Sequence, residues 1–200
     1  MHQIKTKLVA ILALLLCACS GNKSAKEAEL ASDSWKEITP KELDVNIFKQ
    51  LQDDWMILSA GKEGDMNMMT IAWGEIGQLW NKPVFTVYVS TSRYTYKYME
   101  ENDCFTVTAF PEECREKLQY LGTVSGRDED KLKGCGFTAE YTALGNPIYK
   151  DATLAIECKK LYSQQLDRNL MPLEQRQWYD EKGIGVHVMY IGEILHVWKK

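Results

Sequence analysis

Between residues 55 and 198 the chain is written in short runs of β-branched and aromatic residues, broken by clusters of Gly, Asp and Pro. This pattern limits the fold more than any other feature. Val84-Phe85-Thr86-Val87-Tyr88-Val89-Ser90 follows the period of two that a pleated strand requires. Further strands are expected at 55–60, closed by Gly61-Lys62-Glu63-Gly64-Asp65, and at 68–74, 104–110, 137–143, 152–162 and 185–198. The helices are short and scattered. Thr39-Pro40-Lys41-Glu42 combines an N-cap, a proline suited to the first helical position and an acid that completes a capping box. Leu43, Ile47, Phe48 and Leu51 then share one helical face. Residues 94–101, 111 to about 121, opened by Pro111, and 128–134 read as the other helices. The chain has no regular βαβ alternation, which argues against a doubly wound parallel sheet. A closed antiparallel barrel with helical excursions satisfies the pattern, because closure removes exposed strand edges. The periodicity by itself supports a mainly-β fold with short helices, closed or sandwiched.

The N-terminus is of another kind. Residues 1–7 carry Lys5 and Lys7 and no acid, and residues 8–16 are an unbroken apolar run. That run is well short of the ~20 residues a membrane-spanning helix needs, so it reads as a secretory signal. Leu16-Cys17-Ala18-Cys19 resembles a bacterial lipobox. Cys19, preceded by the small Ala18, is the expected lipidation site, and Cys17, preceded by Leu16, is the poorer candidate. The alternative is a plain signal peptide with both cysteines as bystanders. The expected organisation is therefore a signal at 1–18, a flexible tether at 19–34 and one domain at 35–200. The tether is small, polar and charged, with almost nothing that forms a core. The implied location is the cell envelope, on the periplasmic side or the cell surface, with the lipid as the sole membrane contact.

The formal net charge is −4, and cleavage after residue 18 removes two lysines and no acid, giving −6. A mildly acidic domain without a basic stripe is a poor partner for nucleic acid. Cys104, Cys114, Cys135 and Cys158 permit two disulfides in an exported protein. Cys104 and Cys158 lie inside apolar strand patterns, where cysteine behaves as a small buried hydrophobe, so free buried thiols are expected. With no Cys-x-x-Cys pair and scattered histidines, no metal centre is expected.

Three polar clusters lie within 67–128, and generic folding gives no reason to place them together. Asn67-Met68-Met69-Thr70 enters a strand that continues to Trp73. Ser92-Arg93-Tyr94-Thr95 leaves a strand and enters a helix, where backbone N–H groups, the Arg93 fork and two hydroxyls can meet an anion. In Gly122-Thr123-Val124-Ser125-Gly126-Arg127-Asp128, Gly126 admits close backbone approach, while Ser125 and Arg127 are donors. Asp128 either caps the next helix or pairs with Arg127, and Lys131 reads as a solvated helix lysine, the alternative being a contact with a ligand. Met68, Met69 and Trp73 also fit ordinary core packing.

The order and spacing of these clusters resemble the flavin reductase-like, FMN-binding split-barrel family, and within it the flavoredoxin-like branch. The resemblance covers most of the chain after the tether. It implies a Greek-key split β-barrel, a homodimer and FMN as cofactor. It also implies cofactor-binding roles for Asn67, Met68, Met69, Thr70, Trp73, Ser92, Arg93, Thr95, Ser125, Gly126 and Arg127. His187, in His187-Val188-Met189-Tyr190-Ile191-Gly192-Glu193, matches a histidine that in the family can lie near the flavin or the nicotinamide-binding side; the alternative is a half-buried strand histidine. His196 is assigned no role. Relatives commonly carry Arg-Pro where this chain has Ser90-Thr91, so one basic phosphate contact is missing.

The function expected is an FMN-binding oxidoreductase or electron-transfer flavoprotein at the cell envelope, with its electron donor and acceptor unidentified. Nicotinamide cofactors are largely cytoplasmic, so an envelope donor is the expected source of electrons. Nothing here resembles a Rossmann Gly-x-Gly-x-x-Gly turn, but the family resembled binds nicotinamide without that motif, so its absence does not decide the donor. The alternatives are a flavin carrier that turns nothing over and a split barrel that has lost its flavin and serves as an interaction domain.

Overall fold

A computed structural model describes residues 34–200; the signal, Cys17, Cys19 and the tether up to residue 33 lie outside the described residues. The strands are β1 (Lys36–Ile38), β2 (Met56–Lys62), β3 (Asp65–Ile71), β4 (Gly74–Leu79), β5 (Lys82–Ser90), β6 (Cys104–Ala109), β7 (Ala139–Tyr141), β8 (Pro147–Tyr149), β9 (Leu154–Gln165) and β10 (His187–Lys199). The helices are α1 (Ile47–Lys49), α2 (Thr95–Glu101), α3 (Arg115–Thr123), α4 (Lys131–Cys135) and α5 (Leu173–Lys182). One sheet runs in the order β3-β2-β6-β9-β10-β5-β4, with β1 added on β10, and β7 and β8 form a separate pair. Every pairing is antiparallel. This is the mainly-β split barrel with short helices.

β10 joins the halves of the sheet, pairing with β5 through His187 to Glu193 and with β9 from Val188 to Lys199. Its register slips between Ile191 and Gly192 and again between Ile194 and His196. Such bulges bend a strand and sharpen its twist, which lets one long strand serve a curved sheet. At the first bulge a Cβ on Gly192 would stand 2.6 Å from Phe105 Cζ and 2.8 Å from Cys158 Cβ. Both neighbours are fully buried. Gly192→Ala is therefore expected to destabilise the fold by about 1–3 kcal/mol through overpacking. Denaturant unfolding would measure this, and an unchanged midpoint would mean that the core yields at this point.

The main core, with Leu58, Phe85, Val87, Phe105, Ile156 and Tyr190, fills the sheet's inner face. A second cluster, including Ile57, Met68, Leu118, Leu121 and Tyr149, packs α3 and α4 against β2 and β3. Cys104, Cys114, Cys135 and Cys158 are free thiols, and all but the half-buried Cys104 are buried. Burial pushes each thiol's pKa up, so these are packing residues rather than reactive ones.

Several local expectations need correction. The first helix is not continuous. Glu42 Oε2 does accept from both the backbone N and the Oγ1 of Thr39, each at 2.8 Å. That box opens only a single 3-10 turn, Pro40–Glu42, after which Leu43 is extended. Asn46 then restarts the helix by accepting from Lys49 N, and α1 runs on into a π-turn, Gln50–Asp54. Leu51 is buried, but Phe48, expected on the same face, is 81% exposed. Pro111 stands before the helical residues rather than among them. The helix expected from residue 128 starts at Lys131, because Asp130, not Asp128, caps it by accepting from Lys133 N. β1, β4, β8 and α5 were not expected.

Candidate functional site

A cleft opens where β3 and residues 72–73 that lead from it face the ends of β5 and β10. It consists of two adjoining cavities, of about 340 and about 270 Å³, which share Met69, Arg93 and Ile184.

The smaller cavity is polar. Ser92, Arg93, Thr95, Ser125, Gly126 and Arg127 all line it, so the second and third sequence clusters converge here. The two arginines lock the loops together. Arg93 Nη1 donates to Gly122 O at 3.1 Å, and Arg127 Nη1 donates to Ser92 O at 3.1 Å while its guanidinium lies 5.0 Å from the Tyr94 ring centre. Gly126 presses directly on Asn67: a Cβ there would stand 2.2 Å from Asn67 Oδ1. Asn67 Nδ2 donates to Thr95 Oγ1 at 2.8 Å, and both residues are buried. This pair therefore ties β3 to α2 and forms the cavity's floor. α2 has only seven residues and no side-chain cap, so the cations, rather than a helix terminus, define the chamber's charge.

Lys131 is the main surprise. The solvated helix lysine of the sequence reading is 6% exposed and lines the polar cavity. Its Nζ donates to Leu121 O at 2.6 Å. Burial, and then the nearby Arg93 charge, lower its pKa to about 8. Among the described residues none of Arg93, Arg127 and Lys131 forms an ion pair with a carboxylate. Three cations without a carboxylate partner among the described residues thus meet at one chamber.

The larger cavity is aromatic and apolar. Met69, Thr70 and Ile71 line one side, and Trp73, Tyr88, Trp178 and His187 also contribute. Thr70 Oγ1 donates to Leu118 O, which leaves only its lone pairs for a ligand. Trp73 packs 4.8 Å from the His187 ring and 5.8 Å from that of Trp178. His187 is 9% exposed, and burial followed by the Arg93 charge pushes its pKa down to about 4, which leaves the ring neutral. Met68 is placed apart from the other site residues. It is 1% exposed, packs in the second core cluster and lies outside both cavities, because its side chain leaves β3 on the face opposite Met69. His196 bonds to Glu37 on β1 at 2.6 Å and takes no part in the cleft. Ser90 donates to Gly185 O at 2.7 Å and so closes the loop before β10.

Sequence reasoning missed Tyr88, Trp178, Tyr179, Lys182 and Ile184. Three of these sit on α5, whose polar sequence shows no apolar stripe. Its bounds were nonetheless marked: Pro172 immediately precedes it, and Gly183 caps it in the left-handed region at φ 60°.

A family profile described as "Flavin reductase like domain" matches residues 48–200, and the chain belongs to that family. A flavoredoxin structure from Methanosarcina acetivorans aligns with a TM-score of 0.58 at 24% identity, covering 74% of this chain and 68% of that one. An FMN-binding protein from Thermus thermophilus, solved with 1-cyclohex-2-enone, aligns with a TM-score of 0.58 at 21% identity, covering 72% and 69%. A protein of Archaeoglobus fulgidus described only as uncharacterized is 26% identical over 132 residues, which span 66% of this chain and 64% of the relative, less than two thirds of its length.

Proposed function

We propose that this protein binds FMN non-covalently and acts as an oxidoreductase or electron-transfer flavoprotein, held at the cell envelope by a lipid on Cys19. The observation that carries this reading is the meeting of Arg93, Arg127 and Lys131, none ion-paired among the described residues, at a chamber that opens into an aromatic slot. Unpaired cations at a partly buried site call for an anion. FMN carries a phosphate at one end and a flat ring at the other, which matches the two halves of the cleft. Arg93, Arg127, Lys131, Ser92 and Ser125 would hold the phosphate; Met69, Thr70, Ile71 and Trp73 would hold the ring. Bound flavin supplies one- or two-electron chemistry, while the protein positions it and sets its electrostatic surroundings. Three unbalanced cations also bear on the missing basic residue at Ser90, since Lys131 adds a charge the sequence reading had left in solvent.

The names of similar structures support a redox role. They include flavoredoxins, an NADH:FAD oxidoreductase from Streptomyces globisporus and a monooxygenase component from Mycobacterium thermoresistibile. For this chain the signal at 1–18 favours a donor in the membrane or envelope over NADH or NADPH. The functional unit in this reading is a homodimer, checked by light scattering.

The test is to purify the full chain with Cys17 and Cys19 replaced by serine, record its visible spectrum and identify any released cofactor. A yellow protein that releases FMN is the expected result. A colourless protein that takes up no added FMN overturns the reading. Rapid reduction of the yellow protein by NADH or NADPH would remove the envelope-donor part alone.

A further inference from the structure

His187 treats its two ring nitrogens differently. Nδ1 lies 2.7 Å from the phenol oxygen of Tyr179, which is 6% exposed on α5. Nε2 has no protein partner among the described residues, yet it is not sealed from solvent, since Arg176 Nε is the sole atom of that kind there. The ring lines the aromatic cavity, so Nε2 opens into it. The Tyr179 hydroxyl has no other acceptor among the described residues. If Nδ1–H were the donor, a buried phenol proton would be left unmet, at a cost the reverse arrangement avoids. Donation by Tyr179 satisfies both groups and places the imidazole proton on Nε2.

The rest of the slot is committed in one direction. Thr70 Oγ1 donates to Leu118 O, Tyr88 Oη donates to Glu75 Oε1 at 2.8 Å, and Ser90 Oγ donates to Gly185 O. These hydroxyl protons are therefore spent elsewhere, and no carboxylate lines the cavity. With Arg93 engaged at the phosphate, the donors left to a ligand are His187 Nε2–H, the indole N–H groups of Trp73 and Trp178, and Lys182, which is exposed and without an ion pair among the described residues. The tilted faces of Trp73, Trp178 and His187 favour a flat ligand.

We propose that Tyr179 is a positioning residue that locks His187 in its Nε2–H form, and that the wall made by His187, Trp73 and Trp178 binds a planar, anionic carbonyl compound whose oxygen accepts from that Nε2–H. The proposal rests on the flavin reading in one respect: it takes the β3 side of the slot to be filled by the flavin ring, with this compound beside it.

The test uses the full chain with Cys17→Ser and Cys19→Ser, labelled with ¹⁵N-histidine. Long-range ¹H–¹⁵N correlation should place the His187 proton on Nε2, and Tyr179→Phe should give mixed tautomers. Chromone-2-carboxylate serves as a flat anionic carbonyl probe, and 2-naphthoate as its counterpart without the ring carbonyl. One lost hydrogen bond corresponds to an affinity ratio of about five- to tenfold. The parent should prefer chromone-2-carboxylate by that ratio, and His187→Ala should lose the preference. Tyr179→Phe should weaken it in proportion to the Nε2–H form that remains, and His187→Gln, which keeps a donor near the Nε2 position, should retain it. A parent protonated on Nδ1, or a preference that survives His187→Ala, overturns the proposal. Both measurements can be repeated without flavin. A parent that fails to load FMN but keeps the tautomer and the preference would sink the flavin reading and leave this inference standing.

Discussion

Replacing Arg93 with alanine is expected to weaken FMN binding about 10- to 100-fold, the usual range for a lost charge-assisted hydrogen bond to an ionised group. Arg93 lines both cavities and reaches the Gly122 carbonyl, so it stands where the polar and aromatic halves join. Arg93→Lys should fall between parent and alanine, because it keeps the charge and loses the planar fork. Titration followed by quenching of flavin fluorescence would measure all three. Removing Arg93 also takes away one of the two influences that lower the Lys131 pKa, burial being the larger, so that pKa should rise in Arg93→Ala. Affinities for Arg93→Ala and the parent that agree within error would remove Arg93 from the phosphate site.

The second large effect is a pH dependence that comes from Lys131. Burial holds its pKa down to about 8, with Arg93 adding to the shift. A phosphate dianion favours the protonated amine. Below pH 8 the free protein already carries that proton, and above it binding must take a proton up. FMN affinity should therefore be flat below pH 8 and fall by up to about tenfold per pH unit above it, until the raised pKa of the complex is reached. The FMN phosphate, with its second pKa near ~6, does not titrate in this window. The stability of the flavin-free protein should move the opposite way. Because the folded pKa lies below the unfolded one, the unfolded chain binds more protons above pH 8, and stability rises with pH there. Lys131→Met should abolish the pH dependence of binding and lower affinity below pH 8. A parent whose affinity does not change between pH 7 and 9 would place Lys131 outside the phosphate site.

Not all of the fold was equally legible. β5 and β10 announced themselves through alternation of β-branched and aromatic residues, and both lie deep in the sheet. β4, Gly74–Leu79, did not, because its two glycines and polar residues suit an exposed edge rather than a core. Its hairpin with β5 turns through Trp80 and Asn81 at φ 51° and 60°. That is the positive-φ pair a two-residue hairpin needs, but without the glycine that usually signals it. The apolar periodicity at Leu43, Ile47, Phe48 and Leu51 misled, because Asn46 offers the backbone a new start and that local cap outweighs the pattern.

The chain's own order of residues determined the strands of the core, the three polar clusters and the membership that those clusters imply, because each is a short-range pattern or a run of chemically distinctive side chains. Tertiary structure alone decided which of these residues meet. Met68 and Met69 are neighbours in sequence, and the pleat sends one into the core and the other into the cleft. Lys131 reads as a surface lysine until α4 seats it against the Leu121 carbonyl and beside Arg93. Tyr179 becomes relevant only because Gly183 turns the chain back to bring His187 within hydrogen-bond reach. Burial, and with it the shifted proton affinities of Lys131 and His187, depends on distant segments excluding water from one place, and no local window of sequence contains that information.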